Sequence, residues 1–177
     1  MLIDVKAVVP EILVELRYAT VHNFVHQKVY DFDVCYLLPQ VAERLKLVQG
    51  ELRALGLGLK IWDGYRPMSA QQRFWEICPD ENYVAHPSKG GRHTRGTAVD
   101  LTLIELASGR ELEMPSDFDD FSERAHLDYN GGSLVSRQNR DLLVQIMAKY
   151  DLIAWRNEWW HFDLAGWELY PVIETFF

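Results

Sequence analysis

Two short segments carry side chains able to hold and use a metal ion. Gly91 to Leu103 reads Gly-Arg-His-Thr-Arg-Gly-Thr-Ala-Val-Asp-Leu-Thr-Leu, with His93 in a loop and Asp100 inside an apolar run. Residues 156–164 read Arg-Asn-Glu-Trp-Trp-His-Phe-Asp-Leu, with Glu158 three residues before His161. Neutral imidazoles and one carboxylate suit zinc, and three protein ligands leave a fourth position for water. A carboxylate beside that position, such as Glu158, can take a proton from the water and pass it to a leaving amine. An unpaired carboxylate among apolar neighbours is costly, and a cation beside Asp100 would remove the cost.

Each segment alone has a second reading. Asp100 can be a carboxylate satisfied by backbone donors, with His93 at the surface. Residues 158–164 can be an aromatic core strand in which His161 is simply a satisfied core residue. Parity adds a constraint, because odd spacing on a regular strand puts Glu158 and His161 on opposite faces. Glu158 must therefore lie in the turn before the strand, or a bulge must re-aim it. Arg66, in Asp63-Gly64-Tyr65-Arg66-Pro67 after a strand, is the candidate cation for a developing oxyanion. Its alternative is an arginine at the surface or paired with a carboxylate.

The elements that must position these groups are legible from periodicity. Pro39 to Leu55 repeats Val41, Leu45, Val48, Leu52 and Leu55 at helical spacing, with Pro39 in the first turn and Gly56 as the C-terminal cap. Leu57 to Trp62 reads as a strand ended by the Asp63-Gly64 turn. Ser69 and Gln72 suggest a capping box opening a helix to about Ile77. Residues 79–92 and 105–133 read as loops around a strand from Thr97 to Ile104. Ser136 suits the cap of a helix through Tyr150, with Leu142, Leu143, Ile146 and Met147 inward. Leu152–Trp155 and Trp159–Leu164 close the chain as paired strands around Arg156-Asn157. The first thirty residues read as loosely packed strand and loop. This order, without regular strand–helix–strand units, predicts an α+β fold, a mostly antiparallel sheet flanked by helices in one domain over 1–177.

Charge narrows the function classes. The chain carries a formal charge of −8 and no run of Lys or Arg, which disfavours nucleic acid and anionic membrane surfaces. No apolar stretch approaches the ~18 residues of a membrane span. The N-terminus lacks the pattern of a signal peptide, so the cytoplasm is the expected compartment. Cys35 and Cys78 read as free thiols.

At this point the motifs resemble a family, the D-alanyl-D-alanine dipeptidases of the M15 metallopeptidases, which include the vancomycin-resistance dipeptidase. The pattern Ser-x-His-x-x-Gly-x-Ala-x-Asp falls on Gly91 to Asp100, Glu-x-x-His on Glu158 to His161, and Tyr-Arg-Pro on Tyr65 to Pro67. Leu16 to Thr20 with Asn23-Phe24 resembles the amino-terminal signature. Phe118-Asp119 and Ser122 to His126 resemble the middle segment, so the likeness covers nearly the whole chain. The resemblance implies one zinc ion (Zn2+) per chain on His93, Asp100 and His161, with the metal site at the sheet. It also implies Glu158 as general base and acid, Arg66 on the transition state, Asp119 on the substrate's ammonium group, and Tyr18 lining the pocket. The implied reaction is hydrolysis of D-alanyl-D-alanine, in peptidoglycan dipeptide turnover or glycopeptide resistance. A D,D-carboxypeptidase acting on longer peptides, and a non-catalytic zinc- or cell-wall-binding module, are the rivals. One departure stands out: Gly91 occupies the place of the family's serine.

The remaining candidates keep plainer readings. Asp163 shares a strand face with His161 and could orient it, or could form a surface ion pair. Glu123 and His126 are assigned to holding the long loop together. His22, His26 and His86 lack partners by spacing, and Trp159 and Trp160 read as core or pocket wall.

Overall fold

The computed structural model of the protein describes residues 1–174. The expected helix forms as α1 (Pro39–Ala54), with Val41, Leu45, Val48 and Leu52 fully buried. Burying each such side chain contributes roughly 1.5–3 kcal/mol, which makes this stripe the main reason that α1 docks where it does. Leu55, expected on the same face, is 57% exposed, because it is the cap residue and the chain has already turned towards Gly56 at φ +72°. Helix α2 (Met68–Ile77) starts one residue before the expected cap. Pro67 supplies the entry at φ −59°, no side chain caps the helix, and Gln72 hydrogen-bonds Glu76 instead. Helix α3 (Leu134–Lys149) is capped by Ser133 rather than Ser136. The Ser133 hydroxyl accepts from the Ser136 amide at 2.9 Å, so the expected cap residue sits at the third helical position.

The strands are β1 (Ile3–Asp4), β2 (Leu13–Val14), β3 (Tyr36–Leu37), β4 (Leu57–Asp63), β5 (Ala98–Glu105), β6 (Leu152–Trp155) and β7 (Glu158–Leu164). Strands β1 and β3 form a small antiparallel pair. The main sheet has the order β2-β4-β5-β7-β6, parallel only between β2 and β4. The fold is therefore α+β, with a mixed sheet that is mostly antiparallel, as expected. Helices α1 and α3 touch each other and lie along β4 and β6. Along β5, Val99, Leu101 and Leu103 alternate with Ala98, Asp100 and Thr102, so the two sets occupy opposite faces. The first set joins the core with the two helices. The second, which carries the polar side chains of Asp100 and Thr102, lines the two cavities on the other face.

The amino-terminal stretch is not loosely packed. Val5, Val9, Ile12, Leu16, Tyr18 and Tyr30 are all buried in the main core. Short turns of 3-10 helix, at Val5–Ala7 and Arg17–Ala19, let residues of irregular spacing reach it. Both long loops appear where expected. In the second, Ala125 is buried within a turn at Glu123–Ala125, and the Leu127 amide donates to Arg156 O. No helix among the described residues is long and apolar enough to cross a membrane.

Candidate metal centre and active site

Three elements bring the metal-ligating types together. Asp100 and His161 are direct partners in the β5–β7 ladder. His93 opens a 3-10 turn, His93–Arg95, that enters β5 through Gly96 at φ +68°. A Cβ at residue 96 would lie 2.4 Å from Leu2 Cδ2 and force that side chain to shift, and the positive φ favours glycine as well. The parity problem at Glu158 is solved by a large bulge. The β6–β7 register jumps from Ala154↔Phe162 to Trp155↔Glu158, leaving Trp159, Trp160 and His161 without opposing residues on β6. Glu158 is thereby the first residue of β7 and still turns to the His161 side, its Oε2 3.8 Å from His161 Nδ1.

The donor set fits a tetrahedral cation. His93 Nε2, His161 Nδ1 and Asp100 Oδ1 lie 3.1, 3.0 and 3.3 Å apart, and all three residues are buried. Ligands about 2.0–2.1 Å from a tetrahedral zinc are themselves about 3.3 Å apart. The outward nitrogens decide the tautomers. His93 Nδ1 must donate to Gly64 O at 2.8 Å, because a carbonyl only accepts. His161 Nε2 donates to Asp163 Oδ1 at 2.8 Å. Two imidazole lone pairs and a carboxylate oxygen are thus aimed at one point, which only a proton or a cation can satisfy. Asp163 is buried, contrary to the surface ion pair considered above, and its other oxygen meets Arg92 Nε at 3.2 Å. Arg92 is held in turn over the Trp155 ring at 3.9 Å and the Trp167 ring at 5.1 Å.

Without a cation, protons take its place. Burial works against a charged His161, yet Asp163 and Asp100 raise its pKa to about 10. Burial would raise Asp100, but His93 and His161 hold it well below the usual carboxylate range. Burial lifts Glu158 to about 8 against the pull of His161, helped by the charges of Asp100 and Asp119. His161, Glu158 and Asp119, the last raised to about 7, all bind protons more tightly folded than unfolded, where they titrate near ~6.5, ~4.3 and ~3.9. Their contribution to stability is complete below those unfolded values and is lost as pH rises through the folded ones. The melting temperature of chelator-treated protein should therefore fall from about pH 5 to pH 9, and the stabilisation by added zinc should grow over the same range. Thermal melts with and without chelator check this; a flat or rising metal-free profile would contradict it.

Beside the triad lies a second buried network. Arg66 donates from Nη2 and Nε to Asp63 Oδ2 at 2.8 and 3.2 Å, and from Nη1 to Gln71 Oε1 at 3.2 Å. Its guanidinium packs over Phe74 at 4.8 Å and Tyr18 at 5.4 Å. Arg66 is thus both paired with a carboxylate and part of the pocket wall. Asp63, which the sequence marks only as part of a turn, is fully buried and also accepts from Tyr30 Oη at 2.8 Å and the Gly64 amide at 2.9 Å. Its Oδ2 lies 3.6 Å from His93 Nδ1, so one carboxylate braces both Arg66 and His93. The signal that could have found it is Arg66 itself, since a buried guanidinium needs a counter-charge.

The triad, Glu158, Arg66, Asp119 and Tyr18 all line one cavity of about 440 Å³, walled by Phe74, Tyr83 and Trp160. Asp119 takes the left-handed conformation at φ +61°, and its carboxylate accepts from Tyr18 Oη at 3.0 and 3.2 Å. Burial and the charge of Asp100 raise it despite that hydrogen bond. A Cβ at Gly91 would meet Ala85 Cβ and Gln71 Oε1 at an ordinary 3.5 Å, so space does not impose the missing serine. Gln71, which no sequence motif marks, links Arg66 to Ala85 O, its Nε2 donating to that carbonyl at 2.7 Å. His86, expected to lack partners, contacts Ser88 and the Trp75 ring.

The D-ala-D-ala dipeptidase family, Peptidase M15, matches residues 1–176 of the chain. D-alanyl-D-alanine dipeptidase of Escherichia coli (strain K12) is 35% identical over 97% of this chain and 89% of its own. The enzyme of the same name from Enterococcus faecalis (strain ATCC 700802 / V583) is 35% identical over 92% and 89%, respectively. That of Streptomyces coelicolor is 31% identical over 85% and 84%. The resemblance seen in the motifs is therefore carried by the chain from end to end, and the protein belongs to the M15 peptidases, the family of D-ala-D-ala dipeptidases.

Proposed function

We propose that the chain hydrolyses D-alanyl-D-alanine to two D-alanines, with one zinc ion held by His93, Asp100 and His161. The observation that carries this reading is the meeting of the triad, Glu158, Arg66 and the Asp119 carboxylate in one cavity. A bound zinc supplies a Lewis acid that polarises the peptide carbonyl and acidifies water. Glu158, its Oε2 3.8 Å from His161 Nδ1, accepts the proton of the attacking water and returns it to the leaving nitrogen. Arg66 stays protonated beside Asp63 and offers a fixed cation to the oxyanion. Asp119 takes the substrate's ammonium group, with Tyr18 Oη holding the carboxylate in place. The aromatic walls exclude water and strengthen each of these interactions.

The reading places the reaction in the cytoplasm, supported by Cys35 and Cys78 being free thiols. Dipeptide turnover and the removal of a glycopeptide antibiotic's target use the same chemistry. A purely metal- or wall-binding module has no need of Glu158 or Arg66. The sharper rival is a carboxypeptidase for longer peptides, and the amine separates the two. Free D-alanyl-D-alanine should be hydrolysed in strong preference to an N-acylated peptide ending in the same dipeptide. Asp119→Asn should raise KM for the free dipeptide about 10- to 100-fold, as expected for losing a charged hydrogen bond. Steady-state kinetics on both substrates decide it. Preference for the acylated peptide would reject the dipeptidase reading.

A further inference from the structure

A dipeptide has two charged ends, and the proposed function gives a partner to only one of them. The ammonium group meets Asp119, which is held by Tyr18 Oη. The carboxylate lies within one residue of the scissile bond, about 3.5 Å, so a cation that receives it must stand inside the same cavity. Arg66, Lys89, Arg92 and Arg95 all line that cavity. Arg66 is taken up by Asp63 and Gln71. Lys89 pairs with Glu81 at 2.7 Å, and Arg95 donates from Nη1 to Tyr170 O and from Nη2 to Lys89 O. Arg92 is different. Its Nε meets Asp163 Oδ2 at 3.2 Å, but Nη1 and Nη2 have no hydrogen bond or ion pair among the described residues, and neither is a buried atom. The side chain is 24% exposed. Glu168, an exposed acid on the same wall, forms no ion pair with it among the described residues.

The place of this guanidinium relative to the metal ligands follows from its contacts. Asp163 takes the Nε edge of Arg92 and turns its other oxygen to His161 Nε2, so Arg92 stands beyond the outer edge of that imidazole. Nδ1 of the same ring faces Asp100 and Glu158. Asp119 belongs with Tyr18 and therefore with Arg66, whose guanidinium packs over the Tyr18 ring. Stacking on Trp155 at 3.9 Å holds the plane of Arg92 and leaves its edge open. We infer that Arg92 receives the substrate's C-terminal carboxylate on its Nη1–Nη2 edge, an assignment that rests on the dipeptidase reading. Two parallel N–H···O bonds from one guanidinium are the strong form of carboxylate recognition. Gly91 beside it, in place of the family's serine, offers no side-chain donor. A dipeptide laid from Asp119 past the metal to Arg92 then has its scissile bond beside Glu158.

D-alanyl-D-alanine and its C-terminal amide, D-alanyl-D-alaninamide, isolate this contact. The amide keeps the ammonium group and the scissile bond but lacks the carboxylate charge. The zinc-loaded protein should cleave the free acid about 10- to 100-fold more efficiently than the amide, measured as kcat/KM. At saturating zinc, Arg92→Gln should raise KM for the acid by about the same factor with kcat near that of the parent, and should leave cleavage of the amide unchanged. Arg92→Lys keeps a charge beside Asp163 without the planar fork, so its KM for the acid should fall between the two. An equal loss on acid and amide in Arg92→Gln means that Arg92 only braces Asp163 and His161, and overturns the proposal. Parent protein that cleaves acid and amide equally well also overturns it, while the dipeptidase reading stands. Cleavage of neither peptide rejects that reading, and the role of Arg92 falls with it.

Discussion

Glu158→Gln is expected to retain its zinc and lose turnover by about 10²- to 10⁴-fold, the range that a general base contributes. Gln keeps the shape of the side chain at the start of β7 and its place 3.8 Å from His161 Nδ1, but it cannot accept a proton. The three ligand atoms and their outward partners, Gly64 O and Asp163, are untouched. Metal content per chain should therefore match the parent protein, and KM should change little, because the lost interaction belongs to the transition state. A further consequence follows from burial. Glu158 is held up to about 8 in the metal-free protein, so replacing it by a neutral amide removes one source of the high-pH destabilisation described above. The chelated variant should lose less melting temperature between about pH 5 and pH 8 than the chelated parent. Parallel metal analysis and single-turnover kinetics check the first expectation. Near-normal turnover would move the base to another residue.

Asp63→Asn is expected to lower stability by about 3 kcal/mol and kcat by roughly 10- to 100-fold at saturating metal. Asp63 receives donors on both oxygens: Tyr30 Oη and the Gly64 amide on Oδ1, and Arg66 on Oδ2. An amide cannot meet that demand, because its nitrogen must face either the guanidinium or the Tyr30 and Gly64 donors. It also leaves Arg66 buried without a counter-charge, which is the expensive half of breaking such a pair. The activity loss comes from position rather than charge, since Arg66 remains cationic but loses its anchor beside Phe74 and Tyr18. Tyr30→Phe removes a single hydrogen bond and should cost only about 1 kcal/mol, with little effect on kcat. Urea unfolding and kcat measured on both variants separate the two roles. Parent-like stability in Asp63→Asn would mean that the carboxylate is not the counter-charge it is described to be.

The sequence by itself determined much of this protein, and the reason is locality. Val41, Leu45, Val48 and Leu52 specify α1 because their spacing is that of the helix, whatever lies opposite. Alternation likewise specifies β4 and β5, and His93, Asp100, Glu158 and His161 carry their chemistry in their residue types and intervals. Even the need for an irregularity between Glu158 and His161 was legible, because strand parity is a property of the chain alone.

What only the tertiary structure decided is how groups distant in the chain meet. Spacing said that a turn or a bulge must re-aim Glu158, but the three-residue bulge in β7 is set by its pairing with β6. Asp163 reads either as a surface ion pair or as a partner that orients His161, and only the fold decides for the second by burying it between His161 and Arg92. Asp63 reads as the end of a strand until Tyr30 and Arg66 converge on it. The cap of α3 moved to Ser133 because two serines three apart offer similar local signals, and the surrounding chain chose between them. The metal centre shows the same division. Its ligands were readable as a set, and strand parity put Asp163 beside His161, whereas the carbonyl of Gly64 that sets the His93 tautomer is announced by no local pattern.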